Sequence, residues 1–474
     1  MYGKIANEWI EKNRDYFMGM SDKIWDFAEI GLKEFKSSKL IMDALEKEGF
    51  SIEAGIAGMP TAFKATWGSG KPVIGLLGEY DALISSSQKR GVANQEPIVQ
   101  GRPGHACGHN LFGVGMMAAA IGLKKEMEND KLQGTIVYLG CPAEEFLLGK
   151  VYMAKEGAFD GLDIALTWHP DTVNYPDESI FQAMYNIKFN FYGISAHASE
   201  SPEQGRSALD AVELMNVGVN YLREHMVSTA RIHYSITNGG GPPNTVPDYA
   251  QVWYFVRGPE KDTAEMLFNR VKKIAEGAAM MTETRVEVKF ITACHENLPN
   301  DVVLQALYDA ITATPPQQWD EEDHKLAEGL IKTHDPISYK ATLERLKNTA
   351  GMDSKEEEYL YNRAMPLTHQ HQHLPLGSSD FGDVTWIVPA AQAYIACCPV
   401  NTPYHSWQWA VAAGSGIGKK GMIYAAKVFA AACLDFIHHP EKVEAAQEEF
   451  RVRTGGKEFR SLLEPGSKIP FDEF

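Results

Sequence analysis

"GTIVYLGCPAEE" (134–145) is an apolar run that ends abruptly in a thiol and two carboxylates. The run is too short for a core helix, and it fits a buried strand. "KPVIGLLGEYDAL" (71–83) and "GLDIALTWHP" (161–170) repeat the form, each ending in Glu, Asp or His. In open α/β sheets, ligands bind outside the carboxyl ends of the strands. Three such ends therefore imply one shared site on an α/β sheet. Between them "LFGVGMMAAAIGLKKEME" (111–128) reads as a helix with small residues for close packing. Upstream, amphipathic helices are expected over roughly 4–27 and 36–49, the second stopped by Gly49.

From about Gln182 the texture changes. "MYNIKFNFYG" (184–193) alternates as a strand does, and "GRSALDAVELMNVGVNYLREH" (205–225) has helical spacing. Two alternating stretches follow (230–238 and 249–257), then a helix (262–281) and a last strand (285–293). The order β-α-β-β-α-β is the ferredoxin-like split unit. Residues 184–296 are thus expected to form an inserted domain. Residues 1–183 and 297–474 would form a discontinuous α/β domain with a central mixed sheet. Its charged, Pro-containing stretch at about 312–366 reads as a helical insertion or lid.

The bulk composition bounds the partners. The 474 residues carry 62 acidic and 45 basic side chains, a formal charge of −17. That disfavours nucleic acid and anionic membranes, which reward Lys and Arg. No basic segment followed by an apolar one marks a secretory signal at the start. The most apolar stretch, "MIYAAKVFAAACLDFI" (422–437), carries Lys427 and Asp435 and reads as a buried helix. Six scattered cysteines in so long a chain are no disulfide framework. A cytoplasmic location with reduced thiols is the expectation.

Several residues could carry chemistry. In "PGHACGHN" (103–110), Cys107 and His109 could bind a metal from one tight loop, or be a buried thiol and a helix-capping His. Glu144 and Glu145 repel each other unless a cation or proton compensates. One could ligate a metal while the other takes a proton from water, and an exposed acidic turn is the alternative. His169 in "TWHP" and His405 in "NTPYHSW" (401–407) would each be structural if alone. Together Cys107, His109, Glu145, His169 and His405 supply five N, S and O ligands. That suffices for two adjacent divalent ions, with Glu144 left as a base. One thiolate and three imidazoles suit zinc, and manganese also fits the carboxylate. A cysteine hydrolase built on Cys107 with His109 or His105 is less apt, because residues two apart in a tight loop align poorly as nucleophile and base. "HQHQH" (His369, His371, His373) reads as a polar loop, and "NGGGPPN" (238–244) lacks the Lys and Ser/Thr of a phosphate loop.

These residues, with "EIGLKEFKSSKLI", "GISAHASESPEQGRSALDAVELMN", "NTVPDYAQV" and "SSDFGDV", run in an order that resembles the metal-dependent aminoacylase/carboxypeptidase family. Within it, the chain is similar to the amidohydrolase branch that holds hippurate and indole-acetyl-amino-acid hydrolases. The resemblance implies a catalytic domain with an inserted dimerisation and lid domain, and hydrolysis of N-acyl amino acids. p-Aminobenzoyl-glutamate is the first expected substrate. Indole-acetyl-amino acids, other N-aroyl amino acids and dipeptides are alternatives. It also places Cys107, His109, Glu145, His169 and His405 on metal-ligand positions, for two ions per subunit, and Glu144 on the catalytic base. His197 falls on a lid histidine that reaches the active site of the partner subunit, and Asn244 on a substrate-binding lid asparagine. Asp81 matches an Asp that orients the site, whereas Glu79 is not expected to be a ligand. Arg257 could pair with a substrate carboxylate, or be a strand-end Arg. Asn110 replaces a commoner Asp, which implies a weakened outer hydrogen bond to a ligand. A homodimer through the lid domain is expected. A hetero-oligomer with a paralogous subunit, or a non-catalytic partner-dependent subunit, is the alternative.

Overall fold

The computed structural model describes residues 3–355, 357–371 and 377–473. His373 of the "HQHQH" stretch falls outside them. The chain divides into two compact units. The first comprises 1–178, 299–371 and 384–459. The second comprises 179–298 with the described parts of 372–383 and 460–474.

In chain order the strands are β1 (Ser51–Ala54), β2 (Phe63–Ser69), β3 (Val73–Glu79), β4 (Gly134–Cys141), β5 (Ile164–Asp171) and β6 (Tyr175–Pro176). The second unit then supplies β7 (Ala183–Tyr192), β8 (Arg231–Asn238), β9 (Tyr249–Gly258) and β10 (Arg285–Cys294). Finally β11 (Ala390–Ala396) returns to the first unit.

The first unit holds a mixed seven-stranded sheet in the order β1-β2-β4-β3-β5-β11-β6. Its inner strands β4, β3, β5 and β11 are mutually parallel. Their carboxyl ends therefore share one edge, and the apolar runs read from the sequence all end there. The helix His109–Asp130 is buried almost all round, including Phe112, Met116 and Leu123. Gly113 is needed on it, because a Cβ there would stand 2.6 Å from the Glu79 carbonyl oxygen. Trp168 of β5 is fully buried and its indole N–H donates to the Phe112 carbonyl at 3.1 Å. That bond locks β5 to the same helix.

The helix Gly416–His438 is long and apolar enough to cross a membrane, yet 72% of its most apolar window is buried inside the protein. It is the core helix expected from its sequence. The single helix expected over 4–27 is two, Lys4–Lys12 and Arg14–Phe27. Asn13 breaks it: its side-chain amide donates to the Trp9 carbonyl at 2.8 Å, offering the backbone an alternative to the helix. The stretch 312–366 carries the helices Glu321–Ile331 and Pro336–Ala350.

The second unit is a four-stranded antiparallel sheet in the order β10-β7-β9-β8. The helices Ala208–Leu222 and Lys261–Met281 connect its strands. This is the ferredoxin-like arrangement that the β-α-β-β-α-β order predicts. Along β9 burial alternates residue by residue, with Ala250, Val252, Tyr254 and Val256 in the core of the unit.

Candidate metal centre

The site forms on the carboxyl edge of the parallel strands. Glu79 ends β3, and Asp81 follows it. Cys107 and His109 flank Gly108, whose φ of 83° makes the sharp turn into the helix His109–Asp130. An L side chain at Gly108 would be strained in that left-handed conformation. Glu144 and Glu145 sit in a single helical turn after β4, between Ala143 and Leu147, both of positive φ. His169 lies near the end of β5. His405, with φ 58°, precedes the helix Trp407–Ala413. Its backbone N–H donates to the Ala106 carbonyl at 3.1 Å, which ties this loop to the Cys107 loop.

Three sets of ligand atoms lie within 4.8 Å of one another: Cys107, His109 and His169; Cys107, Glu145 and His405; Glu79, His109 and Glu144. The first two share Cys107, and the first and third share His109. The fold thus brings together all five expected ligands and Glu144. Glu79 stands with them, and its Oε2 is 3.2 Å from His109 Nε2.

Hydrogen bonding fixes the imidazoles. His109 Nδ1 lies 2.8 Å from Asp81 Oδ1, and a carboxylate can only accept, so Nδ1 carries the proton. His169 Nδ1 donates in the same way to the Pro170 carbonyl at 2.8 Å. His169 therefore turns an Nε2 lone pair inward, whereas the acidic groups of Cys107, Asp81 and Glu79 around His109 favour its protonated form, so its Nε2 ligates once a cation displaces that proton. His169 Nε2 lies 3.2 Å from the Cys107 sulfur. His405 Nε2 lies 3.6 Å from Glu145 Oε2. Asp81 also accepts the Glu145 backbone N–H at 3.0 Å.

The electrostatics fit a cation. Burial, aided by Glu145, pushes the Cys107 thiol well up. Burial lifts the Glu145 carboxyl to about 7. Burial and the neighbouring His109 pull His169 down to about 3. His169 therefore offers a neutral lone pair, while the thiol and the carboxyl ionise readily only beside positive charge. His109 Nε2 and Glu145 Oε1 are buried and make no well-aligned hydrogen bond among the described residues, their nearest polar neighbours being the acidic Glu79 and Cys107. Buried polar atoms without well-aligned partners are costly, and here they converge with a thiol. The donor set fits a divalent metal.

Two contributors escape sequence reasoning. Lys150 is fully buried and pairs with Glu79 at 2.7 Å. A Lys in the apolar run "GKVYMA" was the available signal. Glu34, also fully buried, accepts from the Ala143 backbone N–H at 2.8 Å and from the Thr61 hydroxyl at 2.9 Å. It braces the carboxylate loop, and burial followed by the Asp81 charge lifts it to about 8.

Asn110 corrects an expectation. Its amide does not face a ligand but donates to the Ser21 hydroxyl at 2.9 Å and the Ala413 carbonyl at 3.1 Å. Residue 110 is one step round the helix from His109 and faces the core. His105 is structural, its Nε2 3.0 Å from the Ile24 carbonyl oxygen. In the polar loop, His371 Nε2 lies 2.9 Å from Asp301 Oδ1.

In the second unit His197 and Asn244 are neighbours, because Ala198 N–H donates to the Asn244 carbonyl at 2.9 Å. Both are exposed. The backbone N–H groups of Ser199 and Glu200 donate to His197 Nδ1, leaving its Nε2 to carry the proton. Arg257 lies at the other end of β9, roughly 25 Å along the strand from the loop that carries Asn244. Its guanidinium hydrogen-bonds Ser378 at 3.3 Å and stacks over Phe255.

This fold with this donor set defines a metal-dependent hydrolase. Residues 183–281 match the M20 peptidase dimerisation domain. The chain is 40% identical over 458 residues to the B subunit of p-aminobenzoyl-glutamate hydrolase from Escherichia coli (strain K12), covering 95% of each chain. It is 28% identical to the Xaa-Arg dipeptidase of Mus musculus, over 94% of this chain and 92% of that one. Its fold matches the crystal structure of a dinuclear metal-binding peptidase of the M20 family from Bacillus subtilis. That match has a TM-score of 0.55 at 17% identity and covers 90% of this chain and 99% of the other. The protein belongs to the M20 family of peptidases and amidohydrolases.

Proposed function

We propose that the protein cleaves the amide bond of N-acyl amino acids, with p-aminobenzoyl-glutamate as the first substrate to test. The observation that carries the reading is the convergence of Cys107, His109, Glu145, His169 and His405, with two interlocking ligand sets within 4.8 Å. The 40% identity to a p-aminobenzoyl-glutamate hydrolase component supports the substrate choice. The likeness to an Xaa-Arg dipeptidase keeps dipeptides as the second class to assay.

Cys107, His109, Glu145, His169 and His405 would hold two divalent ions, zinc or manganese. Such ions, when bound, polarise a carbonyl and ease the ionisation of water. Glu144 takes the proton of the attacking water and passes it to the leaving amine. Asp81 and the Pro170 carbonyl hold the two imidazoles in the ligating tautomer. His197, with its proton on Nε2, donates to the oxyanion, and Asn244 beside it binds substrate. We assign His197 and Asn244 to the active site of a second subunit. Leu214, Val217 and Tyr221 are exposed at helical spacing, and β8 is a strand edge exposed from His233 to Asn238. Such surfaces favour association. A homodimer is the first expectation. A paralogous subunit is the alternative, since the 40% identical relative is itself called a subunit.

The test is a metal analysis joined to a hydrolysis screen that varies the acyl and amino-acid halves separately. Purified protein with about two metal ions per chain and turnover of an N-acyl amino acid is expected. A protein that holds metal but acts only after a paralogous subunit is added supports the partner-dependent alternative. No turnover in either form overturns the assignment.

A further inference from the structure

Beside the ligands stands a residue that the chemistry above does not use. Tyr404 immediately precedes His405, and it is 46% exposed. Exposure of a large aromatic ring next to a metal site calls for a reason. The ring is not loose. One face lies stacked on Trp409, with centroids 4.3 Å apart and planes at 24°. Trp409 itself is 1% exposed, so the stack is anchored in the core. The Tyr404 hydroxyl points inward and hydrogen-bonds the buried Asp171 carboxylate. Tyr404 is thus held at both its face and its tip, while its outer surface stays open.

The same ring adjoins the ligands. The Tyr404 ring centroid is 5.9 Å from that of His169. Tyr394 flanks His169 at the same distance and stacks on Tyr175 at 4.9 Å. A scissile carbonyl brought to His169 and His405 would carry its acyl substituent past these rings. A rigid aromatic shelf rewards a flat π-system through offset stacking and gives little to a methyl group. It loses little entropy on binding, because the ring is fixed beforehand.

We propose that Tyr404 is a specificity-determining residue whose exposed ring stacks on the aromatic acyl half of the substrate and selects N-aroyl over N-acetyl amino acids. This rests on the hydrolase reading above. The amino-acid half is left to other groups.

The test compares N-benzoyl-glutamate with N-acetyl-glutamate on wild type, Y404F and Y404L. Equilibrium binding of each to the purified protein is the first readout, and kcat/KM is the second. Wild type should prefer the benzoyl ligand. In Y404L that preference should fall about three- to tenfold, the scale of one aromatic contact. Y404F, which keeps the ring, should hold it within about twofold. A preference unchanged in Y404L overturns the proposal, even if both ligands weaken together, since that pattern marks a brace for the His405 loop. A wild type that binds both alike also overturns it. Turnover of neither substrate by wild type would fail the hydrolase reading, while the binding ratios still decide the role of Tyr404.

Discussion

Asp81 Oδ1 sits 2.8 Å from Nδ1 of His109, and both side chains are fully buried. The other oxygen of the same carboxylate accepts the Glu145 backbone N–H at 3.0 Å. One side chain thus orients an imidazole ligand and a carboxylate ligand. Although burial opposes its ionisation, His109 holds Asp81 below the usual carboxylate range. An amide has one accepting oxygen, so D81N must turn an NH2 toward one of these two donors. Metal affinity should fall about 10- to 100-fold, the usual effect of losing such a partner. Competition against a chelator would measure it, and an unchanged affinity would refute the role.

Glu144 is the expected proton carrier. E144Q keeps the shape and removes the base. Turnover should drop by about 10²- to 10⁴-fold, while metal content stays at the wild-type level. Chelation of the wild type should abolish activity, and added metal should restore it. A thiol mechanism through Cys107 predicts neither effect. Activity retained in both arms would sink the metal-and-base mechanism.

The Asn110 amide joins the start of its helix to Ser21 and to the Ala413 carbonyl. A carboxylate has no N–H to give to that carbonyl. N110D should therefore lose about 1–3 kcal/mol of stability, seen as a lower urea midpoint. Because the side chain faces away from the ligands, metal affinity should be unchanged. Loss of affinity without loss of stability would return Asn110 to the ligand shell.

The site was legible in the sequence where chemistry sat at the ends of apolar runs. "CPAEE" and "TWHP" show both the strand and its polar terminus, and parallel pairing then forces the ends together. The β-α-β-β-α-β unit was legible because its strands alternate and its helices do not. Glu34 was not legible, since its value comes from Ala143 and Thr61, residues 109 and 27 positions away. Lys150 likewise makes sense only once β3 brings Glu79 beside it. The resemblance put Asn110 in the hydrogen-bond shell of a ligand, but its amide serves Ser21 and Ala413 instead. Neighbours on a helix point about 100° apart, so the two side chains serve different sides. Tyr404 shows the same limit, because only the fold reveals a ring with its hydroxyl buried and its face open.

Glu296, in the second unit, gives a pH dependence that is independent of the metal. Burial, opposed by the Lys261 backbone N–H at 2.9 Å, lifts its carboxyl from 4.5 to about 7. A carboxyl raised on folding binds its proton more tightly in the native state. Between about pH 4.5 and 7 the native state therefore holds more protons than the unfolded chain, and stability falls as pH rises through that window. Above about 7 the cost is fully present, on the order of 3 kcal/mol for a shift of this size. E296Q is neutral throughout and keeps an acceptor for the Lys261 N–H. The variant should match the wild type near pH 4.5 and exceed it by about that amount near pH 8. Urea melts at the two pH values would measure the difference. If the wild type and E296Q lose stability in parallel across the window, the buried carboxyl is ionised at no cost and the assignment fails.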